Sequence, residues 1–237
     1  MSTAMVFSAI VLDMDGLMLD TEVLYRRAWQ EAARGLGFEL SDAMYSELIG
    51  LGRADAELQV SRWFGASFPI RDFASSWERR WEADTRLTLP AKPGLFELLD
   101  WIDSEGIPVA VATSTEAEYA QMSLGKAGVA SRIRCVVTGD QVTARKPAPD
   151  LFLEAARRLG VQPEACVAAE DSDAGIAAAH RAGMRAIMVP DLKPPSAQSV
   201  ALAWRICPTL HDVQKILALE RQPARPAASA DVEEQVG

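Results

Sequence analysis

Asp13-Met14-Asp15-Gly16 follows the apolar run Phe7 to Leu12. Residues i and i+2 of a strand point to the same side, so the two carboxylates leave the strand together. Two acids aimed at one place repel unless a cation or a shared proton stands between them. The carboxyl end of a buried strand is also where open α/β sheets bind ligands. The pair points to a metal-assisted reaction in which one acid is free to act as nucleophile. Standing alone, the tetrad also reads as a solvated turn.

Three further groups follow apolar runs. Thr113-Ser114-Thr115 comes after Val109-Ala110-Val111-Ala112. Thr115-Glu116-Ala117-Glu118 fits a capping box, so Thr115 reads as a plain helix cap. Thr113, one step earlier, reads as a phosphate contact beside Ser114 and the free amides of the helix start. Lys146 stands in Ala144-Arg145-Lys146-Pro147-Ala148-Pro149-Asp150, where two prolines fix the backbone and a helix follows from about Asp150. A lysine held there can grip a phosphate oxygen and offset nearby acids. The alternative is an exposed lysine, the reading given to Arg145. Glu170-Asp171-Ser172-Asp173-Ala174-Gly175 follows Val167-Ala168-Ala169. Glu170 and Asp171 would complete a hard-oxygen site for Mg²⁺, and Asp173 reads as a helix N-cap.

Strands must position these groups. Ser8–Leu12, Pro108–Ala112, Cys135–Thr138, Cys166–Ala169 and Ala186–Val189 are short, rich in Val, Ile and Ala, and show little alternation. Strands covered on both faces look like this. Leu95, Leu98, Leu99 and Ile102, and then Leu151, Ala155 and Leu159, recur at helical spacing between them. Alternating strands and helices predict a doubly wound, mainly parallel sheet. The stretch from Gly16 to Pro108 shows no strand. It predicts helices from about Thr21 to Leu36, from near Ser41 and from near Ala54, and a face carrying Phe73, Trp77 and Trp81. That stripe reads as core packing, with substrate stacking as the alternative. Residues 20–88 thus read as an inserted helical unit, placed to act as a lid. The α/β part is then 1–19 and 89–221, and the Ala-, Pro- and acid-rich residues 222–237 read as a disordered tail.

The 237 residues are 49% hydrophobic, enough for a large packed domain and a small one. With 24 basic against 33 acidic residues the net charge is −9, which gives no footprint for nucleic acid. No apolar run approaches the ~20 residues of a membrane span, and the N-terminus lacks a charged region followed by a long apolar segment, so a secretory signal is not expected. Cys135, Cys166 and Cys207 are widely spaced and read as buried free thiols, so a cytoplasmic location is expected. His180 and His211, the two histidines, read as surface or packing residues.

Taken in order, Asp13-Met14-Asp15-Gly16-Leu17-Met18-Leu19-Asp20-Thr21, Thr113, Lys146-Pro147 and Glu170-Asp171-Ser172-Asp173-Ala174-Gly175 resemble the four motifs of the haloacid dehalogenase-like hydrolase superfamily. The helical insertion and Leu51-Gly52-Arg53-Ala54-Asp55 are similar to the cap of its beta-phosphoglucomutase-like branch. The resemblance implies a Rossmann-like core with a helical cap. It implies Asp13 as the nucleophile that becomes an aspartyl-phosphate, and Asp15 as general acid and then base. Thr113, Ser114 and Lys146 would hold the phosphoryl group, with help from backbone N–H groups near Asp15 and Gly16. Mg²⁺ would be held by Asp13, the Asp15 carbonyl, Asp171 and Glu170, and Arg53 would meet the substrate from the cap. The four acids and a phosphate dianion need the +3 of Mg²⁺ and Lys146 to coexist.

The expected activity is a Mg²⁺-dependent phosphatase of a small phosphomonoester, a sugar phosphate or related metabolite. The alternative is a beta-phosphoglucomutase-like mutase. That branch carries a histidine in the first cap helix where this chain has Tyr25, which tilts the expectation to hydrolysis. A dehalogenase would not use Asp15, and a binding protein on the same fold would not need all four motifs. The substrate and the oligomeric state are left open, a monomer being compatible with the sequence.

Overall fold

The computed structural model describes residues 7–49, 51–86 and 89–221. The tail read as disordered, 222–237, lies outside them. Six parallel strands form one sheet: β1 (Ala9–Leu12), β2 (Val109–Ala112), β3 (Cys135–Val137), β4 (Cys166–Glu170), β5 (Arg185–Met188) and β6 (Arg205–Ile206). Their order is β3-β2-β1-β4-β5-β6, a doubly wound arrangement that reverses direction beside β1. Five of the strands match the apolar runs. β6 is two exposed residues at the sheet edge and carries no apolar run to announce it.

Side chains of β1 alternate between two cores, as its pleat requires. Ile10 and Leu12 pack with helices α5 (Leu95–Ser104), α6 (Ala117–Lys126) and α10 (Leu210–Arg221). Ala9 and Val11 pack with α7 (Asp150–Leu159) and α8 (Asp173–Arg181). Both faces are therefore covered, which is why the strands read as continuous apolar runs. The short α9 (Ala197–Leu202) closes the second face against α8.

Between β1 and β2 lie α1 (Thr21–Gly35), α2 (Asp42–Leu48), α3 (Arg53–Phe64) and α4 (Ile70–Asp84). Helices α1 and α4 pack along each other. Trp29 meets Phe73 edge-on at 5.2 Å, and Tyr25 stacks on Trp81 at 5.3 Å between ring centroids. Phe73, Trp77 and Trp81 are buried, the packing role expected of the stripe. The chain enters and leaves this helical unit through two crossings tied together. Asp20 N–H donates to the Pro90 carbonyl and Lys92 N–H to the Met18 carbonyl, both at 2.9 Å.

Candidate active site

Strand register sets the site. Leu12 lies between Val111 and Ala169, so Asp13, Thr113 and the pair Glu170-Asp171 emerge at one edge of the sheet. Asp13 N–H still donates to the Ala169 carbonyl and Thr113 N–H to the Val137 carbonyl, each at 3.0 Å. The first atoms past the strands are thus held as firmly as the strands themselves.

Lys146 reaches this edge from the loop before α7, with 3% of its side chain exposed. Its Nζ bonds Asp13 Oδ1, Glu170 Oε1 and the Ala112 carbonyl. Burial pulls its pKa down, but the Asp13 and Glu170 charges outweigh burial and raise it above the ordinary lysine value. Asp13, Glu170 and Asp171 are buried, and each offers an oxygen within 4.8 Å of the others. Burial raises the pKa of Asp13 and Asp171 well above the ordinary carboxylate value, and mutual repulsion adds to it. Three acids against one lysine form a hard-oxygen set that a divalent cation fits, both in ligand type and in charge.

Asp15 is separated from that trio. Thr21 Oγ1 donates to its Oδ1 at 2.7 Å and Thr115 Oγ1 to its Oδ2 at 2.6 Å, with Thr113 Oγ1 farther off at 3.5 Å. Burial raises its pKa against these hydrogen bonds, which lower it. The capping role expected of Thr115 is therefore corrected. Helix α6 starts later, at Ala117, whose N–H is capped by Asp140 from the loop after β3 at 3.2 Å. That frees the Thr115 hydroxyl for Asp15.

Gly16 follows Asp15 in the turn after β1. Its N–H donates to the Leu19 carbonyl at 2.9 Å, closing a tight coil. Gly16 matters for what it lacks. At φ +83° a Cβ there would stand 2.3 Å from Asp171 Oδ2. Asp173 is not the N-cap of α8. Ser172 is, accepting from Gly175 N–H at 3.0 Å and donating to Glu170 Oε2 at 2.9 Å. Asp173 instead accepts from Ser196 and Ser199 of the α9 start.

A cavity of about 130 Å³ opens above these groups. Asp13, Asp15, Thr113, Ser114, Lys146, Glu170 and Asp171 form its floor, and Tyr25, Trp29, Tyr45, Arg53 and Trp77 its roof. Arg53 lies at the roof, with its guanidinium already engaged. Nε donates to Glu57 at 2.9 Å, Nη2 pairs with Glu78 and Nη1 donates to the Tyr119 hydroxyl at 3.2 Å. The histidines line no part of this cavity. Sequence reasoning assigned no role to Thr21 or Glu22, although Thr21 closes the first quoted motif. Glu22 lines the cavity, accepts from the Tyr45 hydroxyl at 3.1 Å, and is pushed up to about 7 by burial and by the Asp15 charge.

Acids, hydroxyls and one lysine on the carboxyl edge of a doubly wound sheet define a hydrolase of the phosphoryl-transfer class. The chain belongs to the haloacid dehalogenase-like hydrolases, whose family model matches residues 10–189. Protein CbbY of Rhodobacter capsulatus is 32% identical over 214 residues, 85% of this chain and 93% of that protein. Fructose-1-phosphate phosphatase YqaB of Escherichia coli is 34% identical over 190 residues, 77% of this chain and 96% of its own length. A crystal structure of CbbY from Rhodobacter sphaeroides with phosphate matches with a TM-score of 0.73 at 28% identity, covering 87% of this chain and 96% of that one. A second structure of a CbbY mutant holds xylulose 1,5-bisphosphate, with the same TM-score and coverage at 27% identity. Among the described residues no helix is long and apolar enough to cross a membrane.

Proposed function

We propose that this protein hydrolyses a small phosphomonoester, a sugar phosphate or related metabolite, with Mg²⁺ and through an aspartyl-phosphate on Asp13. The observation that carries the reading is the different anchoring of two neighbouring acids. Asp13 faces the buried ammonium of Lys146, whereas Asp15 is held by Thr21 and Thr115. The names of the relatives support the substrate class.

An Asp13 oxygen attacks phosphorus, and the bond from phosphorus to the leaving oxygen breaks. Asp15 gives its proton to that oxygen, a task that a raised pKa suits. Lys146, Thr113 and Ser114 grip the transferring oxygens. Asp15, now ionised, takes a proton from water, which attacks the aspartyl-phosphate and releases inorganic phosphate. Asp13, Asp171 and the Asp15 carbonyl would hold Mg²⁺, with Glu170 behind them, and the ion would supply positive charge at the transferring oxygens. Residues 20–88 serve as a cap on the core of 1–19 and 89–221. The inserted helices line one side of the cavity and the strand ends the other, so opening of the cap admits substrate and its closing excludes water.

Tyr25 argues for hydrolysis rather than mutase chemistry. Burial and the Asp15 and Glu22 charges push its hydroxyl well above its ordinary pKa, so it does not take up a proton near neutrality as an imidazole can. The free thiols Cys135, Cys166 and Cys207 suit a cytoplasmic protein.

Phosphate release from a panel of phosphorylated metabolites tests the reading. Activity should stop with EDTA and fall at least about a thousandfold in Asp13→Asn. Incubation with beta-glucose 1-phosphate should give free phosphate rather than glucose 6-phosphate. Turnover that survives metal removal would refute the metal assignment, and an active Asp13→Asn would refute the nucleophile.

A further inference from the structure

We infer that Asp191, which lies outside the four motifs, is a positioning residue of the cation site: its free oxygen accepts a hydrogen bond from water on a cation held by Asp171. This rests on the Mg²⁺ reading above. Parallel pairing sets Met188 beside Glu170, and Val189 N–H donates to the Glu170 carbonyl at 2.7 Å. The chain after β5 therefore continues along the carboxyl edge, and Asp191 comes up beside the turn that carries Asp171. Both side chains meet at Gly16. A Cβ there would lie 2.3 Å from Asp171 Oδ2 and 3.4 Å from Asp191 Oδ2. The two carboxylate oxygens thus face one small space over the bare Cα of Gly16.

The two oxygens of Asp191 are not equivalent. Oδ1 accepts from Lys92 Nζ at 2.5 Å, and the same ammonium stands 3.5 Å from Asp20 Oδ1. Asp20 and Lys92 mark the two tied crossings where the chain enters and leaves the helical unit, so Asp191 is held from a fixed point of the fold. Oδ2 is buried and has no hydrogen-bond partner among the described residues. A buried carboxylate oxygen is unfavourable without a donor, and native folds leave one open where something else supplies it. Asp171 cannot, because an ionised carboxylate only accepts. Lys146 cannot either, since its Nζ is bonded to Asp13, Glu170 and the Ala112 carbonyl. Water on a divalent ion is a strong donor, and a carboxylate that accepts from it steadies the ligands around the ion. The charge of Asp191 also reaches the cavity. Burial first and the Asp15 charge next push Glu22 up to about 7, and the Asp191 charge adds to them.

Calorimetric titration of Mg²⁺ into the metal-free protein, without substrate, tests this. Asp191→Asn keeps an acceptor for Lys92 and removes the charge, and should raise the Kd for Mg²⁺ at least about tenfold. Lys92→Met breaks the same ion pair from the other side and leaves the Asp191 charge in place. With one positive charge fewer beside the site, its Kd should stay within about twofold of the parent's or fall below it. Should either variant not fold, Asp191→Ser and Lys92→Gln carry the same comparison. A pair that is only structural would weaken Mg²⁺ binding alike from both sides. That result overturns the inference, and so does an Asp191→Asn with the parent's Kd. A parent protein that binds no Mg²⁺ overturns the metal reading and this inference with it.

Discussion

Asp13 and Asp15 carry the same side chain two residues apart, and their neighbours set them to different work. Asp13 sits with two other acids beside one ammonium, an arrangement that fits a cation. Asp15 is bound by hydroxyls that steady it without neutralising it. Glu22 extends the same logic by one residue. Its pKa is raised to about 7 by burial first and then by the Asp15 charge. A carboxyl raised in the folded state binds protons that the unfolded chain has already released. Its contribution to stability is therefore fully present below the unfolded value near 4.5 and lost once pH has risen through about 7. The loss should be on the order of 1–3 kcal/mol between pH 5 and pH 8. Denaturant melts of the parent protein should show that decline, and Glu22→Gln, which cannot ionise, should make it shallower, the rest coming from Asp13, Asp15 and Asp171, whose carboxyls burial also raises. A Glu22→Gln profile as steep as the parent's would place the titration elsewhere.

Chemistry enters this fold where strands end, and the turns there have little room. The β4–α8 turn shows it most plainly. A Cβ on Gly175 would fall 1.8 Å from Glu170 Oε1, so Glu170 reaches Lys146 only because the first turn of α8 has no side chain at that point. Gly175→Ala should cost about 1–3 kcal/mol through overpacking, a Tm drop of several degrees. It should also push Glu170 off Lys146 and cut kcat at least about tenfold. A variant that lost stability but kept kcat would separate Glu170 from the catalytic edge. The same crowding explains what the sequence shows and what it hides. β1, β2, β4 and the acids beyond them are readable because both sheet faces demand apolar residues and the motifs follow directly. Thr115 misleads because a capping box is a local pattern, whereas its actual partner lies 100 positions earlier and its helix is capped from the β3 loop. Strand β6, only two exposed residues long, has no pattern to read.

Across the whole molecule, the helices between β1 and β2 share polar contacts with the rest of the chain as well as a cavity. Arg53 and Glu78 reach Tyr119 on α6, and Lys126 donates to Thr85 just past α4 at 3.2 Å. No single-residue pattern could announce such pairings, because each joins segments at least 41 positions apart. Beneath them, the carboxyl edge gathers Asp13, Glu170 and Asp171 around one lysine, so the folded chain carries a repulsion that the unfolded chain does not. A cation bound only by the folded form offsets that repulsion and adds its binding free energy to the stability of the entire domain. At a hundred times its Kd the gain is about 2.7 kcal/mol, or roughly 5–10 °C in Tm for a domain of this size. Thermal unfolding with EDTA and with excess Mg²⁺ should show that rise. Asp171→Asn gives the sharper comparison. Burial and then the charges of Glu170 and Asp13 raise the Asp171 pKa, so neutralising it relieves the metal-free protein and should raise its Tm. It also removes an anionic oxygen from the cation site, so the same variant should lose most of the Mg²⁺-dependent rise. A structural change without regard to charge would lower both melting points together. Opposite movements, up in EDTA and down in Mg²⁺ response, are expected only if Asp171 holds the ion at the cost of stability without it.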